Sequence, residues 1–272
     1  MNENYPDPLE IVPCLDDLPL WSAPFGICLL NKVPMYNGME VLDLGCGTGF
    51  PLVELAMRLG GKSRVTGLDP EKAFLERAQE KIRAWKLSNA SVVQGRAEKM
   101  PFPDGIFDLV VSNNGLNNVQ DLPRSLAEIK RVCKRGAVLL ITMNSPGSML
   151  EFYNILEEVL ADLNFSDRIP LMHQHIREKR PSMEYMLACM ENVNIALDSV
   201  DHESFIMRYT DGGAFLSNGF IRLAFLPSWQ QVIGERNLQS VLEELKKRIN
   251  LYAGNYGEFR VTIPFTLYTC KL

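Results

Sequence analysis

Hydrophobic and polar positions along residues 39–143 follow two alternating periodicities. Short apolar runs typical of buried strands are separated by stretches in which apolar residues recur every three or four positions, as on one face of a helix. The runs predict strands over residues 39–44, 64–68, 90–94, 107–112 and 137–143. The stretches between them predict helices over residues 50–59, 71–86 and 122–133. Strands and helices that alternate at this pitch predict βαβ units and a mostly parallel sheet.

The pattern changes after residue 144 and becomes mostly helical. It predicts helices over residues 148–165, 182–197 and 238–252, and two further strands over 203–210 and 259–272. We expect residues 39–144 to form a ligand-binding core and residues 145–272 to add a helical cap together with the last two strands. Residues 1–38 are expected to form a helical segment before the core, within one structural domain overall.

The composition excludes several classes of protein. The 272 residues are 46% hydrophobic and 22% charged, which suffices for a full core without disulfides or a structural metal. No apolar run approaches the ~18–20 residues of a membrane helix, and the acidic, turn-rich start lacks the pattern of a signal peptide. The net charge of −5 offers no general attraction to nucleic acid or anionic lipid. The scattered cysteines predict free thiols, no metal site and a cytoplasmic location.

A glycine-rich loop follows the first predicted strand. Its glycines are Gly45, Gly47 and Gly49, which permit a tight turn and let the backbone touch a ligand. A dinucleotide-binding loop would carry a third glycine at position 50, where this chain has Phe50, and Asp43 places a carboxylate where a phosphate would be repelled. The loop therefore favours a cationic or zwitterionic nucleoside. Asp69, at the end of the second strand, can accept hydrogen bonds from both hydroxyls of a ribose.

These features together resemble the core of the class I S-adenosylmethionine-dependent methyltransferases. The glycine loop with Asp43, then Asp69, then a stretch over residues 97–102, then the Phe107-Asp108 pair occur in the order and spacing of that family. Each motif is weak by itself, but the four together are specific. The resemblance implies a Rossmann-like, seven-stranded, mostly parallel sheet flanked by helices, with a helical cap inserted around the last strands. It also implies S-adenosylmethionine as cofactor and S-adenosylhomocysteine as product.

The resemblance assigns parts of the cofactor to particular residues. The glycine loop would hold the methionine part, Asp69 the ribose, residues 96–98 the adenine, and the loop after the fourth strand the methionine amino end. Residues 1–38 would close over the cofactor. The implied cofactor-binding residues are Asp43, Gly45, Cys46, Gly47, Thr48, Gly49, Asp69, Pro70, Arg96, Ala97, Glu98, Asn113, Asn114 and Leu116.

Arg96 departs from the family pattern. The family often has aspartate at this position, whose oxygen accepts a hydrogen bond from the adenine amino group, whereas arginine has no acceptor. Adenine recognition would then fall to backbone groups at 96–97 or to Glu98, and Arg96 could instead stack on the ring.

Methyl transfer asks little of catalytic side chains. The reaction is an in-line displacement that needs alignment and exclusion of water, and a general base only where the acceptor must lose a proton. The catalytic residue is therefore left unassigned. The candidate bases are His173, His175 and Tyr209, and the alternative for both histidines is a surface position in a loop. The mixed-charge run 177–180 predicts a solvated turn, whose positive charge could meet a carboxylate or phosphate on the substrate.

Four apolar residues are candidates for the substrate pocket. They are Trp21, Phe25, Met186 and Phe215, and for each of them core packing is the alternative. Methionines at helical spacing and clustered aromatic rings suit apolar ligands of irregular shape as well as a core.

The expected function is transfer of a methyl group from S-adenosylmethionine to a small, partly apolar molecule, with no nucleic-acid or membrane partner. An RNA methyltransferase and a non-catalytic S-adenosylmethionine-binding protein are the alternatives. Enzymes that methylate base amines typically carry Asn/Asp-Pro-Pro-aromatic after the fourth strand, where this chain has Asn113-Asn114-Gly115-Leu116. The sequence leaves the methyl acceptor, the methylated atom and the oligomeric state open.

Overall fold

Seven strands of the chain form one sheet. The computed structural model, which describes residue 16 and residues 20–272, has the strands β1 (Glu40–Leu44), β2 (Arg64–Asp69), β3 (Ala90–Gln94), β4 (Phe107–Asn113), β5 (Cys133–Asn144), β6 (Ala196–Tyr209) and β7 (Phe259–Lys271). Their order is β3-β2-β1-β4-β5-β7-β6. Strands β1 to β5 pair in parallel, whereas β7 runs antiparallel to β5. The predicted seven-stranded, mostly parallel, Rossmann-like sheet is therefore confirmed.

Helices connect the strands. In the described residues they are α1 (Ser22–Asn31), α2 (Leu52–Leu59), α3 (Lys72–Ala84), α4 (Leu122–Val132), α5 (Leu150–Asp162), α6 (Ile169–Lys179), α7 (Met183–Asn192), α8 (Gly212–Ser217), α9 (Leu226–Ile233) and α10 (Glu235–Tyr256). None of these helices combines the length and apolar character needed to cross a membrane. Part of the predicted N-terminal segment, residues 1–15 and 17–19, lies outside the described residues.

The chain divides into two compact units. The sheet unit holds the described residues up to Asn144, with Pro181–Glu203 and Phe265–Leu272. Helices α1 to α4 and α7 therefore belong to it. The helical unit holds Ser145–Arg180 and Ser204–Pro264, and contains helices α5, α6, α8, α9 and α10.

The sheet unit buries a hydrophobic cluster on each face of the sheet. Because side chains alternate along a strand, β1 places Val41 in one cluster and Leu42 in the other. The Val41 cluster takes its helical contacts from α1, α2 and α3, and the Leu42 cluster from α4 and α7. Parallel strands buried on both faces read as near-continuous apolar runs, which is why the sequence predicts them well.

Helix α6 is absent from the predicted elements, and it changes the setting of two candidate residues. His173 and His175 lie on this helix rather than in a loop. The apolar positions of α6 bury only Met172 completely, so the helical periodicity is weak in the sequence. The predicted helix over 182–197 is also too long, because Asn194 takes a left-handed conformation (φ 55°) and β6 begins at Ala196.

Gly254 lies inside helix α10, where a glycine costs backbone entropy. A Cβ atom at this position would meet no atom within 4 Å, so alanine fits without strain. We expect Gly254→Ala to raise the free energy of unfolding by about 0.5–1 kcal/mol, measured by urea denaturation. Gly257, just after the helix, has φ 81°, and Gly257→Ala should lower that free energy instead. A loss of stability in both variants would contradict this assignment.

Candidate functional site

The carboxyl ends of the parallel strands bring the predicted motifs together within the sheet unit. Strand β1 lies between β2 and β4, so the loops that follow these three strands adjoin at one edge of the sheet. From β1 the sheet continues to β2 and β3 on one side and to β4 and β5 on the other, so the order of the strands reverses between β1 and β4. Open α/β sheets bind ligands at such a point. The site is therefore built from the glycine loop after β1, from Asp69 at the end of β2, and from the loop after β4.

The glycine loop leaves β1 in a backbone conformation that favours glycine. Gly45, Gly47 and Gly49 have φ values of 77°, 51° and 103°. The backbone N–H groups of Gly45 and Cys46 both donate to Leu68 O, at 2.8 and 3.2 Å, which fastens the loop to β2. A Cβ atom at Gly47 would meet no atom within 4 Å, so the loop leaves room for a ligand at this point.

Cys46 belongs to the packing beneath this loop. A Cβ atom at Gly67 would lie 2.6 Å from Cys46 Sγ, so the thiol fills the space that this glycine of β2 leaves. Burial raises the pKa of the Cys46 thiol well above its usual range. A neutral, enclosed thiol packs and does not act as a nucleophile.

Asp69 joins the end of β2 to the glycine loop. Its Oδ2 accepts the Gly47 N–H at 2.9 Å, and its Oδ1 accepts the Glu71 N–H at 2.9 Å. Burial raises the pKa of Asp69 to about 6, against the lowering effect of these two hydrogen bonds. Each carboxylate oxygen has a further lone pair, so an ionised Asp69 can still accept hydrogen bonds from a ligand. Pro70, the next residue, accepts a hydrogen bond at its carbonyl from Gln94 Nε2 at 2.9 Å.

Asp43 is completely buried at the start of the loop. Burial raises its pKa to about 8, so the carboxyl group is mostly neutral at pH 7. The negative charge expected here from the sequence therefore develops only at higher pH or beside a positive charge.

The stretch predicted to read adenine forms a tight turn after β3. Arg96 and Lys99 are bridged through their backbones, and Ala97 between them is buried. The Arg96 guanidinium lies 3.5 Å from a Glu98 carboxylate oxygen, and the other oxygen of Glu98 accepts the Gln120 N–H at 2.8 Å. Both oxygens of Glu98 thus have partners within the protein, and Arg96 is held at its side.

The end of β4 and the first residue after it are tied to α1 and β5. Asn113 Nδ2 donates to Ser22 O at 3.2 Å, and its Oδ1 accepts from Thr142 Oγ1 at 3.1 Å. Asn114 has φ 60° and donates its N–H to Thr142. Asn113 therefore fixes the start of α1 across this edge of the sheet.

Two glycines shape the site: Gly26, which the sequence analysis did not single out, and Gly115, which lies in the loop predicted to hold the methionine amino end. A Cβ atom at Gly26 of α1 would lie 2.2 Å from the Phe50 ring, and one at Gly115 would lie 2.7 Å from Leu44 O and 3.2 Å from Gly45 Cα. Helix α1 and the loop after β4 thus both lie against the glycine loop. The sequence shows a glycine next to Asn113-Asn114, but it does not show these contacts, because they join residues that are far apart in the chain.

Three of the candidate substrate residues lie in the sheet unit. Phe25 is fully buried, with its ring centroid 6.0 Å from that of Trp21 and 4.4 Å from that of Phe265. Met186 is fully buried in the Leu42 cluster, which also contains Leu116. The structure therefore brings Met186 together with one residue of the loop after β4, and Trp21 with Phe25.

The candidate bases and Phe215 lie in the helical unit. His173 Nε2 lies 3.3 Å from a Glu157 carboxylate oxygen. Burial, with the nearby positive charge of Arg180, lowers the pKa of His175 to about 4. Burial raises the pKa of Tyr209 to about 12, and its ring packs edge-on against Phe215 at 5.1 Å. An imidazole with a pKa near 4 is a weak base, and a phenol with a pKa near 12 already carries its proton at neutral pH. Neither His175 nor Tyr209 therefore accepts a proton readily near pH 7.

The predicted solvated turn over residues 177–180 is wrong, because residues 177–179 form the end of α6 and Arg180 is not solvated. Arg177 and Lys179 are exposed at the end of α6, but Arg180 is only 4% exposed. Its guanidinium packs over the Tyr153 ring, with Cζ 5.1 Å from the ring centroid. Arginine can bury in this way because its planar cation stacks on aromatic rings.

The chain has relatives of known description. A family model for a methyltransferase domain matches residues 36–206. A demethylmenaquinone methyltransferase of Geobacillus stearothermophilus is 32% identical over 124 residues, which are 46% of this chain and 53% of that protein. One of Listeria welshimeri is 39% identical over 110 residues, 40% of this chain and 47% of that protein. The chain thus spans about half the length of these curated relatives.

A solved structure shows the same fold. The S-adenosylmethionine-dependent methyltransferase of Aquifex aeolicus has a TM-score of 0.55 at 24% identity, covering 71% of this chain and 91% of that chain. Since the matched family model covers more than half of the residues, the chain belongs to the methyltransferase-domain family, among the class I methyltransferases that use S-adenosylmethionine, as its motifs predict.

Proposed function

We propose that this chain transfers a methyl group from S-adenosylmethionine to a small, partly apolar molecule. The observation that carries the proposal is the hydrogen bond from the Gly47 N–H to Asp69 Oδ2 at 2.9 Å, which joins the acid to the open side of the glycine loop. A buried carboxylate beside such a loop suits a nucleoside whose ribose hydroxyls need strong acceptors. The names of the two demethylmenaquinone methyltransferases support a partly apolar acceptor.

The residues of the site would bind and align the reactants. A bound cofactor would supply the methyl group of its sulfonium: the acceptor would form a bond to the methyl carbon as the carbon–sulfur bond breaks, and the thioether S-adenosylhomocysteine would leave. The backbone of residues 45–49 and the Asp69 carboxylate would hold the nucleoside and its methionine part in one orientation. Asp43, mostly neutral at pH 7, would gain its negative charge more readily beside a positive one. His173, His175 and Tyr209 stay candidates for a base where the acceptor carries a proton.

Isothermal titration calorimetry tests the proposal directly. We expect the full chain to bind S-adenosylhomocysteine with micromolar affinity and to show no heat with NADH. Transfer of a labelled methyl group from S-adenosylmethionine would then be screened with phenols, reduced naphthoquinones and small amines. Absence of S-adenosylhomocysteine binding would overturn the cofactor assignment. Binding without transfer to any of these acceptors would count against the proposed substrate class.

The pKa of Asp69 predicts how cofactor affinity depends on pH. Only the ionised carboxylate offers strong acceptors to ribose hydroxyls, and this form is lost as pH falls below about 6. We expect the affinity for S-adenosylhomocysteine to fall by up to about tenfold per pH unit below pH 6. Calorimetry between pH 5 and 7 measures it. Asparagine at position 69 cannot titrate, so Asp69→Asn should not show this fall, and equal slopes of the two proteins below pH 6 would contradict the assignment.

A further inference from the structure

Arg180 is a buried cation in the helical unit that lacks a carboxylate partner. Its side chain is 4% exposed, and Nη2 donates to Tyr153 Oη at 3.3 Å. Its Nε and Nη1 are buried without a hydrogen-bond acceptor among the described residues. Burying a charge is unfavourable unless other groups compensate it, and the stacking on Tyr153 compensates only in part.

Two acidic residues of the helical unit are engaged elsewhere. Glu178 accepts a hydrogen bond from Gln174 Nε2 at 2.8 Å, and Glu157 lies beside His173. No ion pair joins Arg180 to a carboxylate of the described residues. A guanidinium cannot shed its proton in a protein, so its charge persists at every physiological pH.

Hydrogen-bond donors outnumber acceptors around this guanidinium. Tyr153 Oη accepts from Arg180 Nη2 and also from Trp229 Nε1 at 3.2 Å. The hydroxyl hydrogen of Tyr153 must therefore point away from both of these donors. Three neighbouring side chains thus present N–H and O–H groups, and within the described part of the chain the only acceptor they share is one phenolic oxygen.

Two aromatic rings and one neutral imidazole are also close to this group among the described residues. The Phe152 ring stacks on Trp229 at 4.1 Å and meets Tyr153 edge-on at 5.3 Å. His175 lies close enough for the charge of Arg180 to help lower its pKa to about 4, so the imidazole is neutral near pH 7. A ligand that supplies the missing hydrogen-bond acceptor and balances the charge of Arg180 would carry an oxyanion on an otherwise apolar body.

We propose that Arg180 and Tyr153 form a binding site for the carboxylate or phosphate group of a small apolar molecule. The guanidinium N–H groups and the Tyr153 O–H donate to the oxyanion, whose charge balances that of Arg180. As a statement about the methyl acceptor, the inference rests on the proposed function, and it adds small apolar acids to the acceptors to be screened. Binding of the oxyanion itself needs no cofactor.

Calorimetry with matched probes tests this site. The full chain is titrated with benzoate, with phenyl phosphate and with neutral benzyl alcohol. We expect at least one of the two anions to bind at least tenfold more tightly than the alcohol, and the better anion identifies carboxylate or phosphate as the preferred group. Equal affinities of all three probes, or no binding of either anion up to 10-fold molar excess over a millimolar protein sample, would overturn the proposal.

Two variants locate the binding. Arg180→Met should lower the affinity for the preferred anion at least tenfold and leave that for benzyl alcohol unchanged. Arg177→Met removes an exposed arginine from the last turn of α6, three residues before Arg180, and should change neither affinity. Undiminished anion binding by Arg180→Met would overturn the assignment. Should that variant fail to fold, the comparison of anions with alcohol on the unaltered chain still decides. S-adenosylhomocysteine binding is measured on the same samples, so its failure would count against the proposed function and not against this site.

Discussion

Replacing Asp69 by alanine is expected to weaken binding of S-adenosylhomocysteine on the order of a hundredfold. The variant would lose two hydrogen bonds from ribose hydroxyls to a charged acceptor, each contributing about 1.5 kcal/mol. It would also release the Gly47 N–H, which Asp69 Oδ2 accepts at 2.9 Å, so the glycine loop loses a contact with the end of β2. Calorimetry on the purified full chain measures the change.

Glu76→Ala is the matched control for this substitution. Glu76 lies on α3, and its side chain is 64% exposed in a weak pair with Lys72, so removing it deletes one acid without touching the site. We expect its affinity for S-adenosylhomocysteine to equal that of the unaltered chain. Circular dichroism of both variants confirms that they fold. An Asp69→Ala protein that folds and binds with full affinity would show that the ribose lies elsewhere.

Gly115→Ala is expected to have the second large effect. The added Cβ would lie 2.7 Å from Leu44 O and 3.2 Å from Gly45 Cα, and both neighbours are backbone atoms that cannot turn aside. Either β1 or the loop after β4 must move, at a cost of about 1–3 kcal/mol of folding free energy. Because Gly45 opens the glycine loop, we also expect the affinity for S-adenosylhomocysteine to fall more than tenfold.

Gly61→Ala provides the comparison for this second variant. A Cβ atom at Gly61 would meet no atom within 4 Å, and its backbone is outside the left-handed region. Its stability in urea should stay within about 0.5 kcal/mol of the unaltered chain, with unchanged cofactor affinity. The close backbone contact at Gly115 would be contradicted if Gly115→Ala matched Gly61→Ala both in its stability in urea and in its affinity for S-adenosylhomocysteine.

The sequence predicted the parallel half of the sheet better than the rest. Strands β1, β2, β3 and β4 are short apolar runs flanked by turns, and a local pattern of this kind identifies a buried strand. Strand β6 begins at Ala196, before its predicted start at 203. The sequence does not predict these first residues as a strand because most of them are exposed and form no apolar run. Helix α6 was not predicted because few of its residues are buried, so the helical spacing of its apolar residues is weak in the sequence.

Only part of the candidate site could be predicted from the sequence. The glycine loop and Asp69 could be predicted because each is a motif within a few residues of a strand end. Gly26 and Gly115 take their importance from atoms of Phe50, Leu44 and Gly45, which are distant in the chain. Arg180 was predicted to be solvated because three charged residues precede it directly in the sequence, although tertiary packing buries it on Tyr153.

The order of the strands has a consequence for synthesis on the ribosome. Strand β6 lies at the edge of the sheet, and β7 is its one neighbour there, although helices α8, α9 and α10 separate the two strands in the chain. A nascent chain therefore exposes β6 as an unpaired strand until translation has passed β7. Its exposed Asp198, His202 and Glu203 place polar side chains along that strand, which discourages pairing with other chains during the interval.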